Sequence, residues 1–312
     1  MTKILTSLDG TPASRFAFGT MQFGGRADAA ASQQMFDECM DAGITHYDTA
    51  YLYTDGASEA LLGSFITDAR DRLIVATKVG YAGGAGRANM TDTFEVSRQR
   101  LQMDMVDILY LHRFDPDTDL HETMETFAEL KSAGKIRYVG LSNFAAWQVV
   151  KAIGIAAKFD LTVDILQPMY NLVKRQAEVE ILPMCADMGV ACAPYSPLGG
   201  GLLTGKYASG ASGRLVEDDG YAKRYGPAWM HQAAVDFAAL AADLAEHPAT
   251  LGVAWAAAHE TGPTPIISAR SAEQLAPSLA ALSYKMTPEV YAQLAALTPT
   301  PPPATDRIEE QA

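Results

Sequence analysis

The chain is predicted to be an α/β protein, a (β/α)8 TIM barrel forming a single domain over residues 1–312. Three observations predict it. Short β-rich runs alternate with longer amphipathic runs, the pattern of βα units around a parallel sheet, and about eight such units fit along the chain. With 312 residues, 48% of them hydrophobic, the chain can bury a large core, and a barrel of this length is usually one domain. Finally, Asp48, Tyr53, Lys78 and His112 lie far apart in sequence, yet each stands at or just beyond the C-terminal end of an apolar run. In a parallel barrel all strand ends of one polarity meet on one rim, so these four side chains are expected to converge.

The elements follow in order. A strand near 15–19 precedes a helical pattern over 29–42, and a strand over 44–47 ends at Asp48. The β-branched run 73–77 ends at Lys78; a helix over 91–102 leads to a strand over 105–111 that ends at His112. The helical pattern 120–133 stops at Gly134, a C-cap signal, before a strand over 136–141. Strands near 165–167, 190–194 and 264–268 complete the eight. The stretch 207–227 is rich in Gly, Ser and charge without clean periodicity and reads as a long mobile loop. The Ala-rich runs 232–245 and 249–259 read as packed helices, and from about 298 four prolines within 299–303 exclude a helix and open a polar tail.

Charge and cysteine usage narrow the function. A net charge of −13 argues against an electrostatic footprint for nucleic acid or a membrane surface. The odd number of cysteines, Cys39, Cys185 and Cys192, without close C-x-x-C spacing, implies neither a disulfide framework nor a zinc site, and no metal is expected. The N-terminus carries no apolar signal segment, and no run is long enough to span a bilayer, so a cytoplasmic location is expected. Two local matches are decoys. Residues 200–206 fit G-x-x-x-x-G-K, but Tyr207 stands where a P-loop needs Ser or Thr. Asn89-Met90-Thr91 matches a glycosylation acceptor without a secretion signal. No complete G-x-G-x-x-G follows a strand, which disfavours a Rossmann dehydrogenase.

A Tyr, a Lys, an Asp and a His gathered on one rim make a proton donor. A free phenol, with a pKa of about 10, is a poor acid at neutral pH, and an adjacent ammonium is expected to lower that value. The Asp keeps the Lys charged and oriented, and the His can hold a carbonyl oxygen. Hydride transfer to a carbonyl needs such a device, because negative charge develops on the oxygen as the hydride arrives. Tyr51 and Tyr53 both follow Asp48 closely, and chemistry alone leaves the choice open.

Several motifs resemble, in order and almost end to end, those of the aldo-keto reductases. Residues 48–59 (DTAYLYTDGASE) with 61–63 (LLG) resemble the first signature of that family, and 134–144 (GKIRYVGLSNF) and 167–172 (QPMYNL) resemble the next two. Residues 194–206 (PYSPLGGGLLTGK) resemble its pyrophosphate loop, and 266–275 (IISARSAEQL) its adenosine-phosphate motif. The resemblance implies reduction of an aldehyde or ketone, with NADPH/NADP+ as cofactor and NADH a lesser candidate, and the mixed polar and aromatic residues expected at the pocket tilt the substrate towards a carbohydrate-derived carbonyl. The resemblance selects Tyr53 as the general acid, with Lys78, Asp48 and His112 as its partners.

The same resemblance places the cofactor along Gly19, Thr20 and Met21, at Ser142, Asn143 and Gln167, and along Tyr195, Ser196, Pro197, Leu198, Gly199, Gly201 and Lys206. Asn143 and Gln167 are amides able to clamp a carboxamide, and Tyr195 can stack on a nicotinamide ring. Ser268, Arg270, Gln274 and Ser278 are assigned to the adenosine end. There the chain departs from the family: Ser268 stands for the common Gly, and Pro277-Ser278 for an acidic residue and Asn, so NADP and NAD both stay open. Substrate is expected against Gln22, Tyr51 and Arg113, with Met21, Phe23 and Lys174 nearby. Two other readings carry the same motifs: an NAD(P)-linked aldose dehydrogenase, and a redox-sensing protein similar to potassium-channel β-subunits.

Overall fold

The computed structural model describes residues 3–209 and 214–310. Eight strands form: β1 (Ala17–Gly19), β2 (His46–Asp48), β3 (Ile74–Val79), β4 (Val106–Leu111), β5 (Ile136–Ser142), β6 (Ile165–Gln167), β7 (Ala191–Cys192) and β8 (Ile266–Ile267). All pair in parallel, in the order β7-β6-β5-β4-β3-β2-β1-β8. Two backbone bonds of 2.8 Å, from Thr264 N to Cys192 O and from Ile266 N to Pro194 O, join the open ends and close the (β/α)8 barrel.

Strand parity decides which side chains reach the barrel interior, because successive residues point to opposite faces. Ile74 and Ala76 of β3, Ile108 and Tyr110 of β4, and Ile165 of β6 form the interior cluster. Tyr47, Val75 and Leu109 face outward into the shell, where Phe36, Phe94 and Phe127 of the surrounding helices pack. The same parity carries Lys78 and Gln167 inward at the C-terminal rim. Gly140 of β5 has a packing reason: a Cβ there would lie 2.3 Å from the Tyr110 ring. A turn in which Thr6 bridges Pro12 covers the opposite end and lays Leu5 against the interior cluster.

Helices at Ala29–Asp41, Arg87–Leu101, Leu120–Ser132, Ala228–Asp243 and Pro248–Ala257 match the periodic runs within a few residues. Asp28 and Asp119 cap the first and third of these by accepting from Ala31 N and His121 N. The stretch 207–227, read from the sequence as a long mobile loop, contains local helix. Two short helices stand there, Arg214–Glu217 and Asp219–Arg224, and Asp218 caps the second through bonds to Gly220 N and Tyr221 N. One turn of helix carries too little periodicity to show in sequence. Positions 210–213 of that stretch lie outside the described residues. The Pro-rich tail runs without helix to a 3-10 turn at Ile308–Glu310. Among the described residues no helix is long and apolar enough to cross a membrane.

His46 lies under the site, beside a cavity of about 120 Å³ lined also by Leu5, Ile165 and Cys192. It is fully buried, and its Nε2 has no partner among the described residues. Burial depresses its pKa to about 4. A folded-state pKa below the unfolded value of about 6.5 means that the unfolded chain takes up the proton first, so stability falls as pH drops from 6.5 towards 4. Between pH 7 and pH 5 this amounts to roughly 2 kcal/mol for His46. Buried His112, depressed to about 3, adds a similar loss. Urea unfolding should show that His46→Leu removes roughly 2 kcal/mol of the wild-type loss between pH 7 and pH 5; an unchanged pH dependence would assign it elsewhere.

Candidate active site

A cavity of about 900 Å³ opens at the C-terminal rim of the barrel, within the ordinary size range of ligand sites. Asp48, Tyr53 and His112 line it, with Lys78 buried beneath. Asp48 and Lys78 come from adjacent strands whose register sets Asp48 beside Ala76, so the Lys78 ammonium rises against the carboxylate. Lys78 Nζ donates to Asp48 Oδ2 at 2.5 Å, to Thr49 O at 2.8 Å and to Tyr53 Oη at 3.2 Å. Gln167 Nε2 donates to the other Asp48 oxygen at 2.8 Å. The His112 ring stands edge-on to Tyr53, 6.0 Å between centroids.

The electrostatics follow from this chain. Burial opposes the charge on Lys78, but Asp48 and Tyr53 more than compensate and hold the ammonium above its ordinary range. Burial pushes the Tyr53 phenol up while the Lys78 charge and hydrogen bond pull it down; the net is upward. The expectation of a net lowering is thereby corrected: desolvation exceeds the ammonium's pull. Burial first, then the charges of Lys78 and Arg113, depress His112 to about 3, so its imidazole is neutral at pH 7. His112 Nδ1 is buried without a partner among the described residues, which leaves Nε2 to the cavity.

Tyr53 sits on an unusual piece of backbone. Thr54, Asp55 and Gly56 follow it with φ of 49°, 53° and 93°, three consecutive left-handed residues, two of them not glycine. Thr54 Oγ1 anchors the turn by donating to Phe23 O at 2.8 Å and accepting from Ser58 N at 3.0 Å. Arg100 holds it from outside, donating to Tyr51 O at 2.8 Å and to buried Glu59 at 3.2 Å. Glu59 in turn accepts from Thr77, the residue before Lys78, at 2.6 Å. Gly56 holds φ 93°, a conformation strained for any residue with a Cβ, and a Cβ there would also lie 2.3 Å from the Arg100 guanidinium carbon and displace it.

The remaining expected residues divide by position. Gly19, Met21, Gln22, Ser142, Asn143, Gln167, Tyr195, Ser196, Pro197, Leu198, Gly201, Lys206, Ser268, Arg270, Gln274, Ser278 and Arg113 line the cavity. Thr20, Tyr51 and Gly199 do not. Thr20 is turned into the wall, bonded to Asp48 O and Ser58 Oγ, and Tyr51 lies 4.8 Å beneath the Arg100 guanidinium. Phe23 belongs to the outer core against Phe18 and Phe65, and Lys174 lies against Tyr225. Sequence reasoning missed Arg26, Tyr81, Tyr221, Arg224 and His247, all of which line the cavity. Tyr81 had a usable signal in its place three residues beyond Lys78; Tyr221 and Arg224 lie on the short helix that sequence did not reveal.

The lining suits a dinucleotide. Asn143 and Ser196 adopt left-handed φ of 57° and 58° on facing rim segments, strain that persists only where the surroundings impose it. Asn143 Nδ2 donates to His112 O and Ser142 Oγ, while Tyr195 Oη donates to Asn143 Oδ1 at 2.7 Å. Gly200 and Gly201 have φ of 65° and 98° and line the cavity, so the loop can bring its backbone close to phosphate oxygens, with the Lys206 side chain packed beside Gly201. At the far end Ser271 caps the helix Ala272–Ala280, whose first turn faces the cavity beside Arg270, an arrangement that favours an anion. Among the described residues no group of three His, Cys, Asp or Glu gathers to hold a metal ion.

A barrel with a Tyr–Lys–Asp chain and a neutral His at its C-terminal rim belongs with oxidoreductases that act on carbonyl groups. The comparisons agree: the model of the aldo/keto reductase family matches residues 15–299, and the chain belongs to that family. It is 32% identical to an uncharacterized oxidoreductase, YrpG, of Bacillus subtilis, over 94% of each chain. It is 30% identical to a probable voltage-gated potassium channel subunit beta of Oryza sativa, over 95% of this chain and 96% of that one. Similarity extends to L-glyceraldehyde 3-phosphate reductase of Escherichia coli O157:H7, 29% identical over 83% of this chain and 81% of the other.

Proposed function

We propose that this protein is an NADP(H)-dependent reductase of aldehydes or ketones, a carbohydrate-derived carbonyl being favoured, with Tyr53 as general acid. The observation that carries the reading is the hydrogen-bonded chain Asp48–Lys78–Tyr53 on the floor of the cavity. When bound, a reduced nicotinamide would supply the hydride. Tyr53 donates its proton to the carbonyl oxygen, and Lys78 stabilises the phenolate left behind, tethered by Asp48 and by Thr49 O. Neutral His112 presents Nε2 to the same oxygen and orients it. Solvent entering the open cavity returns the proton to Tyr53. Asn143, Gln167 and Tyr195 would hold the nicotinamide end, the loop 196–206 the pyrophosphate, and Ser268, Arg270, Gln274 and Ser278 the adenosine phosphate. The similarity to L-glyceraldehyde 3-phosphate reductase favours a small polar carbonyl, and the composition a cytoplasmic enzyme.

Reduction of a panel of aldoses, ketoses and small aldehydes with NADPH and with NADH tests the reading. Turnover with NADPH supports it, and a folded protein that binds NADPH but reduces nothing refutes it. The latter result would favour the second reading, a redox-sensing subunit, which the similarity to the rice channel subunit supports.

Cofactor choice gives a separate prediction. The Arg270 backbone N–H is held by Gln274 Oε1 at 3.1 Å, which fixes the segment while its exposed side chain lines the cavity. A charge-assisted hydrogen bond is worth about 1.5–3 kcal/mol, or roughly 10- to 150-fold in Kd. Arg270→Ala should weaken NADPH by about that factor and leave NADH almost unchanged in a fluorescence titration. Equal weakening of both, or equal affinity of the wild type for both, would move the NAD-linked aldose dehydrogenase ahead.

A further inference from the structure

We infer that the carbonyl compound reduced at this site carries an oxyanion, a carboxylate or a phosphate, bound by Arg113 and Arg224 at the cavity mouth; this rests on the function proposed above. The chain as a whole is strongly acidic, at −13, yet its cavity has the opposite character. Arg26, Arg113, Lys206, Arg224 and Arg270 line it, against Asp48 and Glu273, and Asp48 is already held by Lys78. Such a concentration of one sign in a concave site attracts anions and raises their local concentration. A dinucleotide accounts for part of it, since Lys206 and Arg270 belong to the proposed phosphate contacts. Arg26 is engaged by Glu217 at 2.9 Å.

Two guanidinium groups remain. Neither Arg113 nor Arg224 has a carboxylate within salt-bridge distance among the described residues, although the Arg113 charge is felt by Asp115, whereas Arg100, Arg137 and Arg175 all form ion pairs. Arg113 directly follows His112, and its guanidinium lies 4.7 Å over the Tyr81 ring. The Tyr81 ring is 5.1 Å from that of His112, which is 6.0 Å from that of Tyr53. A chain of ring contacts along one wall of the cavity thus links the cation to the proposed proton donor. Arg224 approaches from the other wall, its guanidinium 5.0 Å over Tyr221. Its charge bears on Tyr195, whose phenol burial pushes up and Arg224 pulls down. Stacking on tyrosine keeps each guanidinium in place while leaving its N–H edge for a planar or tetrahedral oxyanion.

Matched substrate pairs test this in the intact protein with saturating NADPH. The carboxylate pair is 4-oxobutanoate and 4-oxobutanamide; the phosphate pair is glycolaldehyde phosphate and glycolaldehyde. For at least one pair kcat/KM should favour the anion by about 10- to 100-fold, mostly through KM, and the preferred pair tells carboxylate from phosphate. The preference should shrink as salt rises, collapse in Arg113→Gln or Arg224→Gln, and partly survive in Arg113→Lys. Wild-type protein that reduces both neutral members as efficiently as the anions, or a preference that survives both Gln variants, overturns the inference. If no aldehyde is turned over, the proposed reductase function fails on its own, and binding of succinate and inorganic phosphate to the NADP+-saturated protein still decides. Measurable affinity of either that drops at least tenfold in Arg113→Gln or Arg224→Gln upholds an oxyanion site, and no difference removes it.

Discussion

Tyr53→Phe is expected to lower carbonyl reduction by ~10²–10⁴-fold while NADPH binding stays close to wild type. The substitution removes one hydroxyl and leaves the ring, so the edge-on contact with His112 and the stacking of Lys78 over the ring are kept. The hydroxyl it deletes accepts from Lys78, and the ammonium keeps Asp48 and Thr49 O as partners. Stability should therefore change little, and the loss should fall on kcat rather than on KM, the pattern of an interaction made only in the transition state. Tyr51→Phe is the control, because the Tyr51 ring lies outside the cavity against Arg100. Near wild-type turnover in Tyr53→Phe, with the loss in Tyr51→Phe instead, would reassign the acid.

Lys78→Met is expected to bring activity near zero at neutral pH and, unlike Tyr53→Phe, to destabilise the fold. Lys78 is fully buried and bridges Asp48 to Tyr53. Its charge and its hydrogen bond are what pull the phenol down against burial, so without them Tyr53 becomes a weaker acid and its phenolate loses its stabiliser. The buried Asp48 carboxylate meanwhile keeps Gln167 as a donor but loses its counter-ion. Breaking a buried pair from one side costs about 3–5 kcal/mol, and chemical denaturation should show a loss of that size. Lys78→Arg restores the charge in the wrong shape and should recover stability more than rate. A folded Lys78→Met protein with wild-type rate and pH profile would rule out the proposed role of the chain.

Much of this arrangement was legible because barrel topology converts sequence position into direction. An apolar run that ends at a reactive residue places that residue on the rim, and strand parity then decides whether it faces inward. Asp48 and Lys78, at the C-terminal ends of neighbouring strands, could be placed together before any distance was known. The same logic is silent once the chain leaves the strand. Thr20 follows β1 directly, yet it is turned into the wall by Ser58 and the Asp48 carbonyl. Tyr221 and Arg224 reach the cavity from a segment with no periodicity to read. The net upward shift of the Tyr53 phenol was equally hidden, because it depends on how burial and the ammonium balance in three dimensions. Chemical type and strand-end position are sequence properties; side-chain direction in loops and degree of desolvation are not.

The left-handed run Thr54-Asp55-Gly56 sets a division of labour around the cavity. Anchored by Thr54 to the Phe23 carbonyl and braced by Arg100, this turn leaves the segment bearing Tyr53 no alternative backbone path of similar energy. One wall of the cavity is thus built as a fixed reference, against which a reacting atom can be positioned. Another part of the lining, contributed by Tyr221 and Arg224, hangs on the short helix Asp219–Arg224 outside the barrel's strands. Substitutions that retarget the pocket to new molecules have room on that side, where shape can drift without disturbing the proton donor, whereas on the Tyr53 side the chemistry and the backbone are locked to each other.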